Sequence, residues 1–211
     1  MKTAIFILLT LTLITSCAPM PKEKTIDQFK NQNLAVATFA GGCFWCVEAD
    51  FEKAHQGIVA VVSGYTGGTK ESPTYDEVSS GSTGHYEAVQ VFYDPSKVSY
   101  QQLLDVFWHT VDPTDDNGQF VDRGQQYASA IFYHDEEQKE LAEKSKAELE
   151  QSNKFNKPIV TEILQFKSFY KAEEYHQDYY EKNPVRYKYY RHNSGRDQFL
   201  DSVWDEDKKE K

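Results

Sequence analysis

The chain has 211 residues, of which 39% are hydrophobic and 27% are charged, and its formal net charge is −10. This length and composition are those of one soluble globular domain with a sizeable core. The excess of negative charge repels phosphate backbones and therefore argues against nucleic-acid binding.

Residues 1–16 predict a secretory signal peptide, because one positive charge at Lys2 precedes a short apolar run that ends in small residues. The sequence ITSC ending at Cys17 resembles the lipobox of bacterial lipoproteins, which implies cleavage before Cys17 and acylation of its sulfur. The alternative is an ordinary signal peptide cleaved elsewhere, with an unmodified thiol. We therefore expect an exported, membrane-anchored lipoprotein of the cell envelope or periplasm, where disulfides can form.

The rest of the chain predicts one domain between two polar segments. Residues 17–33 predict the lipid attachment and a tether, since they are polar and have no periodicity. The domain is expected over residues 34–204. After Pro184, a cluster of tyrosine and arginine predicts a segment that wraps around the domain, and the charged residues 205–211 predict a disordered tail.

Residues 41–51, with the sequence GGCFWCVEADF, carry the clearest chemical signal. They follow a short apolar run, residues 34–40, that predicts a buried strand, and their own apolar residues recur at helical spacing. Cys43 is then expected in the first helical turn, where the helix dipole lowers a thiol pKa below its usual value of about 8.5. Cys46 lies one turn later on the same face. Although cysteine usually packs as a small hydrophobe, a pair at this junction favours redox chemistry.

A zinc half-site is a further interpretation of the cysteine pair. It needs a second pair of ligands, and the remaining cysteine, Cys17, belongs to the leader. His55 and His85 offer nitrogens, but their spacing does not mark them as ligands. We therefore predict no metal, and we assign His85 a structural or supporting role.

The other predicted elements follow from apolar periodicity and turn residues. Strands are predicted at residues 57–65, 85–94, 126–133 and 158–166. Helices are predicted after Ser99, with Gln102 completing a capping box, and at residues 135–151 and 169–182. Long loops are predicted at residues 66–84 and 112–124. This order predicts an α+β two-layer sandwich, a mixed β-sheet with flanking helices.

Glu87 does not match its predicted surroundings. Alternation in the strand HYEAVQVFYD places it on the same face as Val89 and Val91. A carboxylate on an apolar face is costly unless it is paired, neutralised or used in chemistry. The pattern alone supports a structural role and a catalytic role equally.

Several motifs together resemble the A-type peptide methionine sulfoxide reductases. In chain order they are GCFWCVE, SGYTGG, PTYDEV, GHYEAVQVFYDP, FWHTVDP and DRGQQYASAIFY, and the likeness runs from about Ala35 to Asn183. The resemblance implies an α+β fold and an enzyme that reduces methionine S-sulfoxide, free or in proteins, to methionine. It implies that Cys43 is the nucleophile and that Glu87, kept protonated by an apolar site, is the proton donor.

The same resemblance implies a substrate site. Tyr75 and Tyr127 match the tyrosines that hydrogen-bond the sulfoxide oxygen, and Phe44 and Trp45 match the rings of the methyl pocket. Asp122 matches the acid that orients the substrate backbone. For Phe44, Trp45, Tyr75 and Asp122, the residue pattern without the family would favour core, loop or turn roles.

The chain departs from the family at two places. Many members carry resolving thiols in a glycine-rich C-terminal tail, but here no cysteine follows Cys46, which stands where many members have glycine. The sulfenic acid left on Cys43 must then be resolved by Cys46 or by an outside thiol. Ala128 stands where the family commonly has arginine, which changes the charge expected near the site.

We expect no cofactor beyond an external thiol reductant, thioredoxin or an equivalent. The expected partners are oxidised proteins or peptides carrying methionine sulfoxide, this reductant, and a membrane held through the lipid anchor. A monomer is expected. Two other functions remain open: a thioredoxin-like dithiol oxidoreductase, and a non-catalytic lipoprotein that binds peptide or metal while Cys43 and Cys46 form a structural disulfide.

Overall fold

The computed structural model describes residues 25–30 and 33–208. The strands are β1 (Ala35–Gly41), β2 (Ile58–Thr66), β3 (Tyr86–Tyr93), β4 (Gly118–Gln119), β5 (Asp122–Arg123), β6 (Ser129–Tyr133), β7 (Glu162–Gln165) and β8 (Phe169–Lys171). The helices are α1 (Ile26–Lys30), α2 (Phe44–Ala54), α3 (Tyr75–Ser79), α4 (Tyr100–Trp108), α5 (Glu136–Gln151), α6 (Tyr179–Lys182), α7 (Pro184–Asn193) and α8 (Arg196–Lys208). The predicted signal peptide and Cys17 lie outside these residues. Within the described part of the chain, no helix has the length and apolar character needed to span a membrane.

Six strands form one mixed sheet in the order β7-β6-β1-β3-β2-β8. β6 and β7 are parallel, and the other neighbouring pairs are antiparallel. β4 and β5 form a separate hairpin. Helices flank the sheet, so the predicted α+β class with a mixed sheet is confirmed.

β3 lies at the centre of the sheet and is buried along its whole length. Its odd positions face the main core, where Phe39 stacks between Phe51 of α2 and Phe107 of α4, with ring centroids 5.0 and 5.3 Å apart. Burying rings of this size contributes about 1.5–3 kcal/mol each. This packing fixes α2 against the sheet and so fixes the position of its first residues.

The capping box at the start of α4 is confirmed. The backbone N–H of Gln102 donates to the Ser99 hydroxyl at 3.2 Å, and the Ser99 N–H donates to the Gln102 side chain at 2.9 Å. These bonds satisfy donors that a helix N-terminus leaves unpaired.

Some predicted elements were wrong. The strand predicted from residue 126 begins at Ser129, because Gln125–Tyr127 form a 3-10 helix after Gly124, whose φ is 115°. Residues 169–182 do not form one helix: β8 pairs with the edge of β2, and Asp178 takes a φ of 53°, which interrupts a helical path. The predicted loop at 66–84 contains α3.

The two polar end segments are more ordered than expected. α1 belongs to the predicted tether, yet Phe29 packs on Phe92 with ring centroids 4.9 Å apart. The segment after Pro184 forms α7 and α8, and α8 continues to Lys208, past the start of the predicted tail. Trp204 of α8 is buried against His109 at a ring distance of 3.8 Å. Aromatic anchors therefore hold polar sequences on the domain.

Candidate active site

The turn between β1 and α2 presents Cys43. Gly42 has a φ of 81°, and a Cβ atom there would lie 2.6 Å from the Gln119 Cβ. Glycine therefore suits this position in both backbone conformation and space. Cys43 is the N-cap of α2, with φ −50° and ψ 115°, and is not in the first helical turn as predicted.

The Cys43 thiol does not have the lowered pKa expected from its position. Its side chain is buried, and burial raises its pKa well above the ordinary value, with Cys46, Glu87 and Asp122 adding to the increase. The N–H of Phe44, which could stabilise a thiolate, instead donates to Glu87 Oε2 at 3.0 Å. The resting residue is therefore a thiol.

Cys46 is fully buried one turn further along α2, and both cysteines are free thiols. The side chains of Cys43 and Cys46 shift each other's pKa in opposite directions: Cys46 adds to the raised pKa of Cys43, and Cys43 lowers the pKa of Cys46. Burial opposes the lowering at Cys46, and the charges of Arg196 and Arg191 add to it.

Glu87 lies beside this turn with 2% of its surface exposed. Burial raises its pKa to about 8, against the hydrogen bond from Phe44 and together with the nearby charges of Asp122 and Cys46. The carboxyl group therefore holds its proton at neutral pH, as the family resemblance implied.

Tyr75 and Tyr127 share this pocket with Glu87 and Cys43. Burial raises the pKa of Tyr75 to about 12, and it raises the pKa of Tyr127 as well; the charges of Glu87 and Cys43 contribute to both shifts. Tyr75 is held at the start of α3, where its N–H donates to Glu173 Oε1 at 2.9 Å. Both phenols therefore remain protonated and can donate hydrogen bonds.

Phe44 and Trp45 occupy different environments. Phe44 is buried, with its ring 6.0 Å from Tyr65. Trp45 is partly exposed and stacks on Tyr179 at 3.7 Å with an interplanar angle of 6°. The indole Nε1–H donates to His176 Nδ1 at 3.0 Å. These contacts fix the plane of the Trp45 ring beside the catalytic turn.

The sequence analysis did not identify four residues of this site: His176, Tyr179, Tyr190 and Arg196. Burial lowers the pKa of His176 to about 4, so it is neutral where it accepts the hydrogen bond from the indole. The Tyr190 hydroxyl donates to Asp122 Oδ2. Burial raises the pKa of Asp122, and the bond from Tyr190 opposes this shift.

The structure also places two residues away from the reacting groups. His85 stabilises the loop after β2. Its Nδ1 accepts a hydrogen bond from the Gly68 N–H at 3.2 Å, and its Nε2 is hydrogen-bonded to the Lys70 carbonyl at 2.7 Å. Ala128 packs against Tyr86 and Phe132 on the opposite sheet face from Glu87. The effect of Ala128 on the charge near the site stays a prediction.

Comparisons with known proteins agree on one family. The family model described as peptide methionine sulfoxide reductase matches residues 35–208. Peptide methionine sulfoxide reductase MsrA/MsrB of Vibrio cholerae is 53% identical over 204 residues, which are 97% of this chain and 53% of that protein. The chain thus spans about half the length of that relative. Peptide methionine sulfoxide reductase MsrA of Listeria monocytogenes is 56% identical over 173 residues, covering 82% of this chain and 97% of that protein.

Two solved structures share the fold. Mxr1 of Saccharomyces cerevisiae in reduced form has a TM-score of 0.67 and 39% identity, covering 72% of this chain and 86% of that one. Methionine sulfoxide reductase A of Corynebacterium diphtheriae has a TM-score of 0.65 and 32% identity, covering 74% and 78% of the two chains.

Proposed function

The chain belongs to the peptide methionine sulfoxide reductase family, and from this premise we propose that it reduces methionine S-sulfoxide, free or in proteins, to methionine. It is an oxidoreductase. The observation that carries the proposal is the buried, protonated Glu87 next to the Cys43 turn, since this pair supplies a proton donor and a nucleophile in one pocket.

The pocket can orient a sulfoxide before any bond changes. The hydroxyls of Tyr75 and Tyr127 donate to the sulfoxide oxygen, which is a strong acceptor. The Trp45 ring, held by Tyr179 and His176, forms the apolar wall for the methyl group. Holding the substrate sulfur against Cys43 in this way makes the reaction effectively intramolecular.

Reduction then needs one thiolate and one acid. The Cys43 thiol first gives its proton to solvent. Its thiolate attacks the substrate sulfur, a transient sulfur–sulfur bond forms, and the oxygen takes the proton of Glu87. The hydroxyl group then moves to Cys43: the substrate sulfur–oxygen bond and the transient sulfur–sulfur bond break and an oxygen–sulfur bond to Cys43 forms, which yields methionine, a sulfenic acid on Cys43 and the Glu87 carboxylate. Cys43 loses the two electrons that the substrate gains.

Cys46 completes the cycle in this proposal. Its sulfur attacks Cys43, an S–S bond forms, and hydroxide leaves and becomes water after protonation. An external dithiol, thioredoxin or an equivalent, then reduces the disulfide. The position of Cys46 one helical turn after Cys43, with both cysteines free, supports intramolecular resolution.

The experiment that tests the reductase activity separates the two epimers. Purified protein is incubated with dithiothreitol and either the S or the R epimer of a methionine sulfoxide peptide, with Cys43→Ser as the control. We expect methionine from the S epimer alone and none from the variant. Equal use of both epimers, or no product, would contradict the proposal.

The same preparation distinguishes the alternatives. A dithiol oxidoreductase would reduce insulin disulfides through its first cysteine. We expect no such activity, because Cys43 is only 6% exposed and a large folded disulfide substrate must reach it. A binding module with a structural disulfide would show no reactive thiols. We expect Cys43 and Cys46 to react with a thiol reagent once the protein is unfolded without reductant.

We also propose that the mature protein is exported and anchored through lipid on Cys17. The support is the leader sequence alone, with its apolar run and the residues ITSC. Mass spectrometry of the mature N-terminus tests it, with Cys17→Ala as the variant that should leave the membrane fraction. An unmodified terminus at another residue would show that the lipoprotein interpretation is wrong.

A further inference from the structure

Arg196 is a buried cation whose polar contacts are backbone carbonyls. It is 1% exposed, and its guanidinium donates from Nη1 to the Thr110 carbonyl and from Nη2 to the Gly41 carbonyl at 2.9 Å. Its Cζ lies 4.7 Å from the centre of the Phe120 ring. Among the residues that the structure describes, no carboxylate forms an ion pair with it. Buried charges in proteins are normally paired, because burial without a counter-ion is costly.

The guanidinium lies under the turn that carries the nucleophile. Its bond to Gly41 fixes the last residue of β1, and a Cβ atom on Gly42 would come within 3.0 Å of Nη2. Since Cys43 follows directly, Arg196 places a permanent positive charge at the N-terminal end of the helix that holds both thiols.

A second arginine near the cysteines differs because its charge is neutralised. Arg191 pairs with Asp50 Oδ1 at 2.6 Å and with Asp197 Oδ1 at 2.7 Å. Arg196 forms no ion pair with a carboxylate in the described structure, although its charge opposes the burial that raises the pKa of Asp50 and of Asp122. Its charge can therefore also act on a group that becomes negative during the reaction. The cysteine pair forms such a group at each turnover.

Several charged or titratable groups surround Cys46. They are Cys43 at the start of its helix, Asp50 on the same helix, Glu87 on β3, Tyr187, Tyr190 and Arg191 on α7, and Arg196 on α8. All of them except the two arginines carry or can develop negative charge close to a fully buried thiol, and Arg191 is paired with Asp50 and Asp197. Arg196 is therefore the cation in this set that is not in an ion pair and whose charge can stabilise a thiolate on Cys46.

We propose that Arg196 is a positioning residue that keeps Cys46 a thiolate, ready to resolve the sulfenic acid on Cys43; this rests on the proposed function. The Cys46 thiolate forms the S–S bond, the S–O bond of the sulfenic acid breaks, and the released hydroxide takes a proton to become water. Later, when a reductant thiolate attacks the Cys43 sulfur, the same charge stabilises Cys46 as the leaving thiolate. This direction of attack agrees with exposures of 6% for Cys43 and 0% for Cys46.

The first test titrates Cys46 directly and needs no sulfoxide. In a Cys43→Ala background, which removes the neighbouring thiol, the alkylation rate of Cys46 is measured against pH with Arg196 intact and with Arg196→Gln, Arg196→Met and Arg196→Lys. Removing Cys43 also removes the largest contribution that lowers the Cys46 pKa, so the result is read as a difference between variants. Relative to the protein with Arg196, we expect Cys46 to titrate about one unit higher with Gln or Met, and at nearly the same pH with Lys. Arg186→Gln, which removes an exposed charge from α7, is the matched control and should cause no shift.

The second test measures the resolving step in the protein with both cysteines. At a pH below both titrations of Cys46, a pKa rise of one unit lowers the thiolate fraction about tenfold but raises the intrinsic nucleophilicity of the thiolate about threefold. Disulfide formation measured at such a pH should therefore slow about threefold in Arg196→Gln. Methionine release in a single turnover should change by less than about twofold. Circular dichroism confirms that each variant is folded, and glutamine retains an N–H donor for one carbonyl.

Two results would overturn the inference. One is a Cys46 titration that stays the same in Arg196→Gln and Arg186→Gln. The other, which tests whether the positive charge is what acts, is a Cys46 titration that rises as far in Arg196→Lys as in Arg196→Gln. If the protein does not reduce sulfoxide, the proposed function is wrong. The titration of Cys46 still shows whether Arg196 affects this thiol, because it does not depend on sulfoxide reduction.

Discussion

The pH dependence of Glu87→Gln tests the proton donor most directly. The pKa of Glu87 is about 8, so the acid is about nine-tenths protonated at pH 7 and about one-tenth protonated at pH 9. Glutamine has nearly the same shape but no proton to give. Since general-acid catalysis contributes roughly 10²–10⁴-fold, kcat/KM at pH 7 should fall by this amount.

The ratio of the two kcat/KM values should shrink as pH rises. The wild-type enzyme loses its acid through pH 8, and the variant has none to lose, so the advantage of the wild type should fall about tenfold between pH 7 and pH 9. Both proteins must also deprotonate Cys43, whose pKa is raised. Each rate therefore rises with pH at first. Because this dependence is common to both proteins, it largely cancels in the ratio of wild-type to variant kcat/KM. The wild-type profile should therefore flatten near pH 8 while the variant keeps rising.

The assay follows methionine formation from an S-sulfoxide peptide with dithiothreitol in excess, between pH 6.5 and pH 9.5. Glu137→Gln, an exposed change of the same kind on α5, controls for charge and should keep the wild-type profile. A wild-type to Glu87→Gln ratio that stays constant across this range would show that Glu87 does not act through its protonated form.

Cys43→Ser should abolish sulfoxide reduction, because a serine hydroxyl is almost wholly protonated and far less nucleophilic; turnover comparable to wild type would show that Cys43 is not the nucleophile. Cys46→Ser should release one equivalent of methionine and leave a sulfenic acid on Cys43 that dimedone traps, but turn over poorly with thioredoxin, with partial rescue by excess small thiol. Full steady-state activity with thioredoxin would assign resolution to an outside thiol. Tyr190→Phe removes the hydrogen bond to Asp122. With a peptide substrate, kcat/KM should fall about tenfold, mainly because KM rises. An unchanged KM would mean that this bond does not orient Asp122 for substrate binding.

The sheet and the acid were predictable because they follow from local patterns. Alternation placed Glu87 on the same face as Val89 and Val91, and β3 is buried along its whole length. The box of Ser99 and Gln102 marked the start of α4, since both partners lie within one helical turn. Patterns of this kind need no information about distant parts of the chain.

The C-terminal part of the site was not predictable, because distant contacts determine it. The Asp178 N–H donates to both oxygens of Glu48, at 3.1 and 3.2 Å, and so attaches the segment before α6 to α2. Tyr190 reaches Asp122, and Arg196 reaches Gly41, across long stretches of sequence. A polar segment without an apolar stripe gives no local sign of such partners, although its dense tyrosines could have indicated packing against the aromatic site.

The backbone at Cys43 bears on the proposed resolution of the sulfenic acid by Cys46. In a regular helix, Cβ atoms three residues apart lie about 5–6 Å from each other, whereas a disulfide needs roughly 3.5–4.5 Å. Cys43 is the N-cap, however, and its ψ of 115° is not helical, so the spacing of a regular helix does not apply to this pair. The glycine turn before it and the Arg196 bond to Gly41 hold this conformation. The C-terminal segment, where many family members keep their resolving thiols, can therefore supply Tyr190 and Arg196 to the site instead of cysteine.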